Sequence, residues 1–196
     1  MKKVLLFLFG FGISTSYAQE IAQYSVGLGL SPFGGSLQLG YVVSEKTSFN
    51  IGVGTLPESD SPFSPEIGEE RFDITSSSDW MGFFINHRPF ESTDWFRINT
   101  GIAVGSIFNS LQGDQGSEFE VNFTENPVTY LGIGLGLRPI KGFTYGFDAG
   151  LLYGSGPALT GLSGGLASSA SPEEVLSHPF FAKVLPNIQF GVAYGF

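Results

Sequence analysis

Apolar and polar residues alternate along most of this chain, and stretches rich in turn-forming residues interrupt the alternation. The last segment shows the pattern most clearly. Ile188, Phe190, Val192, Tyr194 and Phe196 fall on one face, and the residues between them are small or polar. Side chains of a strand point to opposite faces in turn. The segment therefore predicts a strand with one apolar face and one small, polar face.

Seven earlier segments repeat this alternation. The eight predicted strands cover about residues 22–30, 35–43, 48–55, 79–88, 95–105, 128–138, 143–153 and 187–196. Most of these lengths match the roughly 9–11 residues that a tilted strand needs to cross a bilayer. Charged residues are rare inside the segments and frequent between them. The pattern therefore predicts strands that cross a membrane.

The face opposite the apolar one is made largely of glycine in most segments, and the chain has 28 glycines. Soluble strands usually show Lys, Glu, Thr or Ser to water, and glycine is disfavoured in them. We therefore expect the apolar faces to point outward into lipid. The alternative is a soluble exported barrel or sandwich, of lipocalin-like type, whose apolar faces point inward.

The short connections and the long ones are predicted to lie at opposite ends of the strands. The short ones cover residues 44–47, 87–94 and 139–142, the long ones cover residues 56–78, 106–127 and 154–185, and residues 31–34 form a short connection on the long side. This arrangement is typical of outer-membrane barrels. The predicted fold is all-β, an eight-stranded antiparallel up-and-down transmembrane β-barrel with short periplasmic turns and long extracellular loops.

Aromatic residues support the same orientation. Many lie on apolar faces near the short-turn end, as expected of a girdle at a membrane interface. These residues are Tyr24, Tyr41, Phe49, Phe96, Phe143, Tyr145, Tyr194 and Phe196.

The N-terminal 18 residues have the composition of a secretory signal peptide. Two lysines precede an apolar stretch over residues 4–13, and small residues follow at Ser16 and Ala18. We expect cleavage after Ala18, which divides the chain into a signal peptide at 1–18 and a barrel at 19–196. The alternative, an N-terminal membrane anchor, is disfavoured because a helix needs about 20 apolar residues to span a bilayer.

The composition excludes one class of function and one kind of stabilisation. The formal net charge of −9 excludes nucleic-acid binding through a basic patch. The chain has no cysteine, so disulfides do not stabilise it. It can instead bury a core or close a small barrel.

The predicted barrel resembles the small eight-stranded bacterial outer-membrane proteins, of the OmpA membrane domain, OmpX and OmpW kind. The resemblance rests on architecture and on the ending Tyr194-Gly195-Phe196. It implies export through the Sec pathway and a place in the cell outer membrane, among its lipid and lipopolysaccharide. It also implies recognition by the barrel-assembly machinery, with Tyr194 and Phe196 as the assembly signal. These families include structural anchors, adhesion factors and narrow conduits for small hydrophobic compounds.

Inward-facing strand positions carry the charges and large rings that we predict inside the barrel. Charge at membrane depth is expensive unless it faces a polar lumen or a partner. Either these charges pair and plug the barrel, or they line a narrow water path. The predicted lumen-lining residues are Trp80, Arg97, Tyr130, Arg138 and Asp148, with Arg88 as a weaker candidate.

Because many inward residues are glycines, the sequence does not decide whether side chains fill the barrel interior. An eight-stranded barrel is just wide enough for its side chains to fill it, and glycines remove part of that filling. Four large side chains either repack the space or leave a narrow cavity for one small apolar ligand. They are Trp80, Phe84, Tyr130 and Leu152.

The long loops carry two further features. Residues 58–73 hold six acidic residues, which predicts a solvated acidic surface, with divalent-cation binding as the alternative. Ser171-Pro172-Glu173-Glu174 predicts a helix start, with a short helix to about Ser177. Apolar residues around this helix allow either a lid over the barrel mouth or packing at its rim.

No catalytic, cofactor or metal site is predicted, and we expect no enzymatic activity. Gly161-Leu162-Ser163-Gly164-Gly165 fits a nucleophile-elbow pattern but lacks the surrounding strand-turn-helix. Neither His87 nor His178 is followed two residues later by the serine of lipid A deacylases. The favoured function is a narrow channel or carrier for small molecules, hydrophobic ones among them. The alternatives are a non-conducting structural or adhesion barrel acting through acidic loops and, less favoured, a lipid-modifying enzyme.

Overall fold

The structure, a computed structural model, describes residues 20–163 and 170–196 and consists almost entirely of antiparallel strands. The predicted signal peptide at 1–18 lies outside the described residues. The strands there are β1 (Tyr24–Ser31), β2 (Gly34–Val42), β3 (Thr47–Asp60), β4 (Glu66–Ile67), β5 (Glu70–His87), β6 (Phe96–Gly113), β7 (Glu118–Phe123), β8 (Val128–Gly136), β9 (Gly142–Tyr153), β10 (Ala158–Ser163) and β11 (Val184–Gly195). A short helix, α1 (Pro172–Ser177), and a 3-10 turn at Pro179–Phe181 precede β11. None of the helices in this part of the chain has the length and apolar character to span a bilayer.

Eight strands pair in a closed ring, in the order β1, β2, β3, β5, β6, β8, β9 and β11. The ring closes because β11 pairs back with β1, from Ser25 opposite Gly195 to Leu30 opposite Phe190. Every ring pair is antiparallel. Each ring strand pairs with the next ring strand along the chain, and the last pairs with the first. Closure leaves the ring without free edges, which is what lipid demands of backbone polar groups. The predicted eight-stranded up-and-down barrel is confirmed.

The apolar faces of the ring strands point outward. Leu28, Leu39 and Leu131 are about 60% exposed, and their ring neighbours are similarly open. An apolar surface of this extent is unsuited to water and matches a lipid-facing band. The alternative of a soluble barrel with inward apolar faces does not fit this arrangement.

The predicted aromatic girdle is present at the end with short turns, which we call the short-turn end. Tyr24 and Tyr41 have ring centroids 5.4 Å apart, and those of Phe143 and Tyr194 are 5.1 Å apart. Phe196 stacks on Tyr24 at 6.2 Å, and backbone hydrogen bonds join the same two residues. Rings with a polar end suit the boundary between lipid and water.

The opposite, long-loop end differs from the sequence prediction, because much of the predicted loop there is strand. β3 runs on to Asp60, β5 begins at Glu70 and β6 continues to Gly113. The strands β4, β7 and β10 are added to these ends. We call this part, above the ring, the extension. The predicted long loops at 56–78 and 106–127 are therefore wrong in their bounds.

The polarity of the wall inverts at the base of the extension. Thr55, Asp79 and Ser106 are paired across β3, β5 and β6 and mark the edge of the outward apolar band. On the short-turn side of this row, β5 points Met81 outward. On the side of the extension, β5 points Asp73 outward and buries Phe72. The alternation therefore continues, but the apolar face changes sides. A search for outward apolar faces misses strands of this kind.

The extension has its own hydrophobic core. Its members are Ile67, Phe72, Ile74, Leu111, Phe119, Val121, Ala170, Val175 and Phe181. Val175 and Phe181 come from α1 and the turn after it, so this segment packs at the rim. The predicted helix start is confirmed, because the Glu174 backbone N–H donates to Ser171 Oγ at 3.3 Å and Glu174 Oε2 accepts from the Ser171 N–H at 2.8 Å.

Glu70 is a correction to the predicted solvated acidic loop, because it is fully buried. Ser117 Oγ donates to its Oε2 at 2.6 Å, and the backbone N–H groups of Gln115 and Ser117 donate to Oε1 at 3.0 and 3.2 Å. Burial favours the neutral carboxyl, but these hydrogen bonds outweigh burial and hold the pKa of Glu70 below its ordinary value. Glu70 therefore fastens β5 to the β6–β7 turn.

Candidate binding site in the barrel lumen

An ion pair on the inward face joins β6 to β9 across the intervening strand β8. Arg97 of β6 donates through Nε and Nη2 to Asp148 Oδ1 at 3.2 and 2.9 Å, and through Nη2 to Oδ2 at 2.8 Å. Asn99 Nδ2 donates to the same carboxylate. Gly134 of β8 lies in register between the two charged residues, and a Cβ there would overlap Asp148 Oδ1. The glycine therefore makes room for the ion pair.

Aromatic rings cover several of the glycines on the inward face. The Trp80 ring lies over Gly52 and Gly54, and the Tyr130 ring lies over Gly150. Trp80 meets Phe84 edge-on at 6.3 Å, and Phe84 meets Tyr130 in the same way at 5.9 Å. The rings thus form one chain across the lumen and repack much of the space that glycine leaves.

A cavity of about 150 Å³, here called the outer cavity, lies beside these rings, and its lining reaches from the Arg97–Asp148 pair to the long-loop end. Its lining combines rings, aliphatic side chains, amides and the Arg97–Asp148 pair. Phe33 and Lys183 lie at its mouth, where the strands give way to loops. The apolar lining residues are Phe33, Trp80, Phe84, Val128, Leu152 and Leu185, among others.

A second cavity of about 100 Å³, here called the inner cavity, lies toward the short-turn end. It is more polar and contains Arg88, which is only 4% exposed. Both cavities touch the Arg97–Asp148 pair and a belt of amide side chains. The belt consists of Gln38, Asn50, Asn86 and Gln189. The ion pair and the belt therefore lie where the two cavities adjoin.

The structure brings together four of the five predicted lumen-lining residues. Trp80, Arg97, Tyr130 and Asp148 all line the outer cavity. Arg138 lies elsewhere, as a correction to the prediction. β8 ends at Gly136, so the alternation that would aim residue 138 inward has already stopped. Arg138 Nε lies 3.7 Å from Asp94 Oδ2 at the short-turn end.

Several lumen residues were not singled out from the sequence. Asn99 and the amide belt occupy predicted inward positions, and a polar side chain at membrane depth was the available signal. Asn50 Nδ2, Asn99 Oδ1, Asn187 Oδ1 and the Tyr130 hydroxyl are buried without a well-aligned hydrogen bond. A buried polar atom without a partner costs about 1–3 kcal/mol. The lumen therefore offers buried polar atoms to a bound molecule.

The described residues contain no group of three side chains arranged to hold a metal ion. His87 Nδ1 lies 3.0 Å from Thr47 Oγ1 at the short-turn end, whereas His178 Nδ1 accepts from the Phe180 N–H near the other end. The side chain of Ser163 lies outside the described part of the chain. None of the described contacts of either histidine joins it to a serine or a carboxylate.

The closed ring, its outward apolar band and its small-residue interior define a class of protein, the outer-membrane β-barrels. Among solved structures, the chain is similar to CarO of Acinetobacter baumannii, with a TM-score of 0.66 and 14% identity over 90% of this chain and 98% of that one. CarO2 of the same organism gives 0.67 and 15%, over 91% and 100%. A major outer membrane protein from Thermus thermophilus gives 0.58 and 13%, over 90% and 100%.

The likeness to these neighbours is one of fold. No family model matches the chain, and no curated protein matches it either. The fold of this chain is that of an outer-membrane β-barrel protein, and the predicted place in the cell outer membrane agrees with that fold.

Proposed function

We propose that this protein is an outer-membrane carrier that takes up a small, largely apolar molecule into its outer cavity and has no permanently open water path. The observation that carries this proposal is the outer cavity itself, which has aromatic and aliphatic walls and a charged, amide-rich floor. The short-turn end then faces the periplasm and the long-loop end faces outward. Outer-membrane lipid and lipopolysaccharide surround the apolar band, and the assembly machinery acts on β11 with Tyr194 and Phe196.

The dimensions of the outer cavity indicate the size of the ligand. A protein cavity of about 150 Å³ holds a molecule of roughly benzene size. Burial of its apolar surface contributes roughly 25 cal/mol per Å². The edge-on rings of Trp80 and Phe84 favour an aromatic or flat aliphatic body. The buried polar atoms of Asn99 and Tyr130, whose hydrogen bonding is poorly aligned, suit one polar substituent.

The proposed closure follows from the Arg97–Asp148 pair. A carboxylate that accepts three hydrogen bonds from one guanidinium and another from Asn99 is firmly held. The rings of Trp80, Phe84 and Tyr130 narrow the lumen beside it. Passage of a solute therefore requires this pair to open.

Quenching of tryptophan fluorescence by nitrobenzene, an aromatic molecule close to benzene in size, tests the proposal. We expect saturable quenching in the refolded protein, because the bound molecule lies against Trp80. Trp80→Ala should abolish the saturable part of the quenching. Trp95→Ala is the matched control, because Trp95 is 55% exposed at the short-turn end and does not line the outer cavity. Absence of binding to the unmodified protein would refute the carrier.

A structural or adhesive barrel is the second candidate, and the extension favours it. Its buried core gives the outward end a defined shape that a partner can recognise. Uptake of small apolar compounds by cells separates the two candidates. A carrier accelerates uptake in proportion to its amount in the membrane, whereas an adhesive barrel leaves uptake unchanged.

The proposal includes no enzymatic activity. Lipid A analysis of cells that produce the protein tests this point. We expect the same lipid A profile with the unmodified protein, His178→Ala and Ser163→Ala. A profile that changes with the unmodified protein and reverts with either substitution would establish a lipid-modifying enzyme instead.

A further inference from the structure

The inner cavity contains an imbalance of charge. Arg88 and Arg97 both line it, whereas Asp148 is the only acidic residue among the described residues of its lining. Asp94 and Arg138 lie nearby as a pair of their own, with 3.7 Å between Asp94 Oδ2 and Arg138 Nε. Three arginines and two aspartates leave one positive charge uncompensated at this end of the lumen.

Arg88 is the residue whose charge has no counterpart. It follows β5 in the turn at the short-turn end, where Nε donates to the Asp94 carbonyl and Nη2 to the Leu137 carbonyl, both at 3.1 Å. None of the ion pairs among the described residues includes Arg88. Burial first, and then the positive charge of Arg97, lower the pKa of Arg88 to about 10. A buried charge of this kind is costly unless a counter-ion joins it.

The side chains around the inner cavity offer more hydrogen-bond donors than acceptors. Arg97 uses Nε and Nη2 for Asp148, while none of its described hydrogen bonds uses Nη1. Nη1 of Arg88 is likewise absent from its described hydrogen bonds. Asn50 lines the same cavity, and its Nδ2 is buried without a hydrogen-bond partner. Two guanidinium groups and a free amide donor thus surround a small polar space.

We propose that the inner cavity is a binding site for a small inorganic anion, held between Arg88 and Arg97 with Asn50 as a neutral donor. The anion balances the excess charge and accepts the unused hydrogens. The volume of about 100 Å³ admits a halide or a phosphate-sized ion but no large organic acid. This site shares Arg97 and Asn50 with the outer cavity, while Arg88 belongs to the inner cavity alone, and the site does not depend on the proposed carrier function.

Bromide is the probe for this site. Thermal unfolding of the refolded full chain in detergent is followed while sodium bromide replaces sodium gluconate at constant ionic strength. Gluconate is too large for the cavity, so the exchange changes only the anion that can enter. An ion that binds the folded state raises the unfolding midpoint in a saturable way. An identical midpoint in both salts would overturn the proposal.

Three substitutions locate the site. Arg88→Gln should weaken apparent bromide affinity at least tenfold, whereas Arg138→Gln, the same charge change outside the cavity, should leave it within twofold. Asp148→Asn removes the competing carboxylate and should tighten affinity at least tenfold, which keeps the test valid if Arg88→Gln does not fold. Equal losses with Arg88→Gln and Arg138→Gln, or unchanged affinity with Asp148→Asn, would contradict the assignment.

Discussion

At the scale of single residues, the lumen is assembled from pairs of very small and very large side chains. Trp80 needs Gly54, Tyr130 needs Gly150, and the Arg97–Asp148 pair needs Gly134. The sequence indicated which residues face inward, because alternation alone decides that. It did not indicate which of them share a level, since that depends on the stagger of strands around the ring. The contact between Arg97 and Asp148 was therefore open until the register was known.

Gly134→Ala tests this matching of sizes. The added methyl group overlaps Asp148 Oδ1, so we expect a loss of about 1–3 kcal/mol in the free energy of unfolding. Gly35→Ala is the control, because a Cβ at Gly35 meets nothing within 4 Å. Urea unfolding in lipid vesicles measures both. A Gly134→Ala variant as stable as Gly35→Ala would show that the ion pair has room to move.

Glu70→Gln tests the buried carboxylate. Its pKa in the folded state lies below the ordinary value of 4.5. The stabilisation is therefore complete above that value and is lost as the pH falls through the lower folded-state pKa. We expect Glu70→Gln to cost roughly 1–3 kcal/mol at neutral pH and to flatten the fall of stability in acid. Exposed Glu69→Gln should keep the profile of the unmodified protein, and equal profiles for both variants would contradict the assignment.

At the scale of elements, the strands were predicted well where they cross the lipid and poorly beyond it. The starts and ends at the short-turn end agree within a few residues, since turns such as Ser44 to Lys46 interrupt the pattern abruptly. At the other end β5 begins at Glu70, nine residues before the predicted start at Asp79. Charged outward residues there resemble a loop in composition. Only their continued alternation distinguishes them from one.

Phe181→Ala tests the extension as a unit. Removal of a buried ring costs about 3–5 kcal/mol, and the loss should fall on the extension because Phe181 packs in that core. We expect faster protease cleavage of the extension, with an unchanged heat-shifted gel band for the barrel. Phe180→Ala is the neighbouring control, since Phe180 is 44% exposed. Loss of the gel band with Phe181→Ala would show that the extension and the ring unfold together.

At the scale of the whole molecule, closure of the ring was the most predictable feature, and whether the lumen conducts was the least predictable. Eight alternating segments with alternating short and long connections leave few arrangements other than a barrel. Whether its interior conducts depends on a few side chains between the two cavities. Arg97 and Asp148 are the decisive ones, because they touch both cavities.

Single-channel recording in a planar bilayer tests the closed lumen, with the heat-shifted gel band as proof of folding. We expect the folded protein to be silent, because the proposed carrier has no continuous water path past the Arg97–Asp148 pair. Joint replacement of Arg97→Ser and Asp148→Ser removes both charges without leaving one unpaired. This double variant should show discrete conductance steps. Steps from the unmodified protein would mean an open pore.

The inversion of polarity at Thr55, Asp79 and Ser106 also fixes how deep the molecule sits. A shift of the protein toward the periplasm would place the carboxylate of Asp79 in hydrocarbon. A shift in the opposite direction would expose the edge of the outward apolar band, at Met81, to water. Both displacements raise the free energy, so this row of residues sets the depth of the protein in the bilayer. A bilayer thicker or thinner than the band must deform around the protein, because the protein cannot slide to suit it.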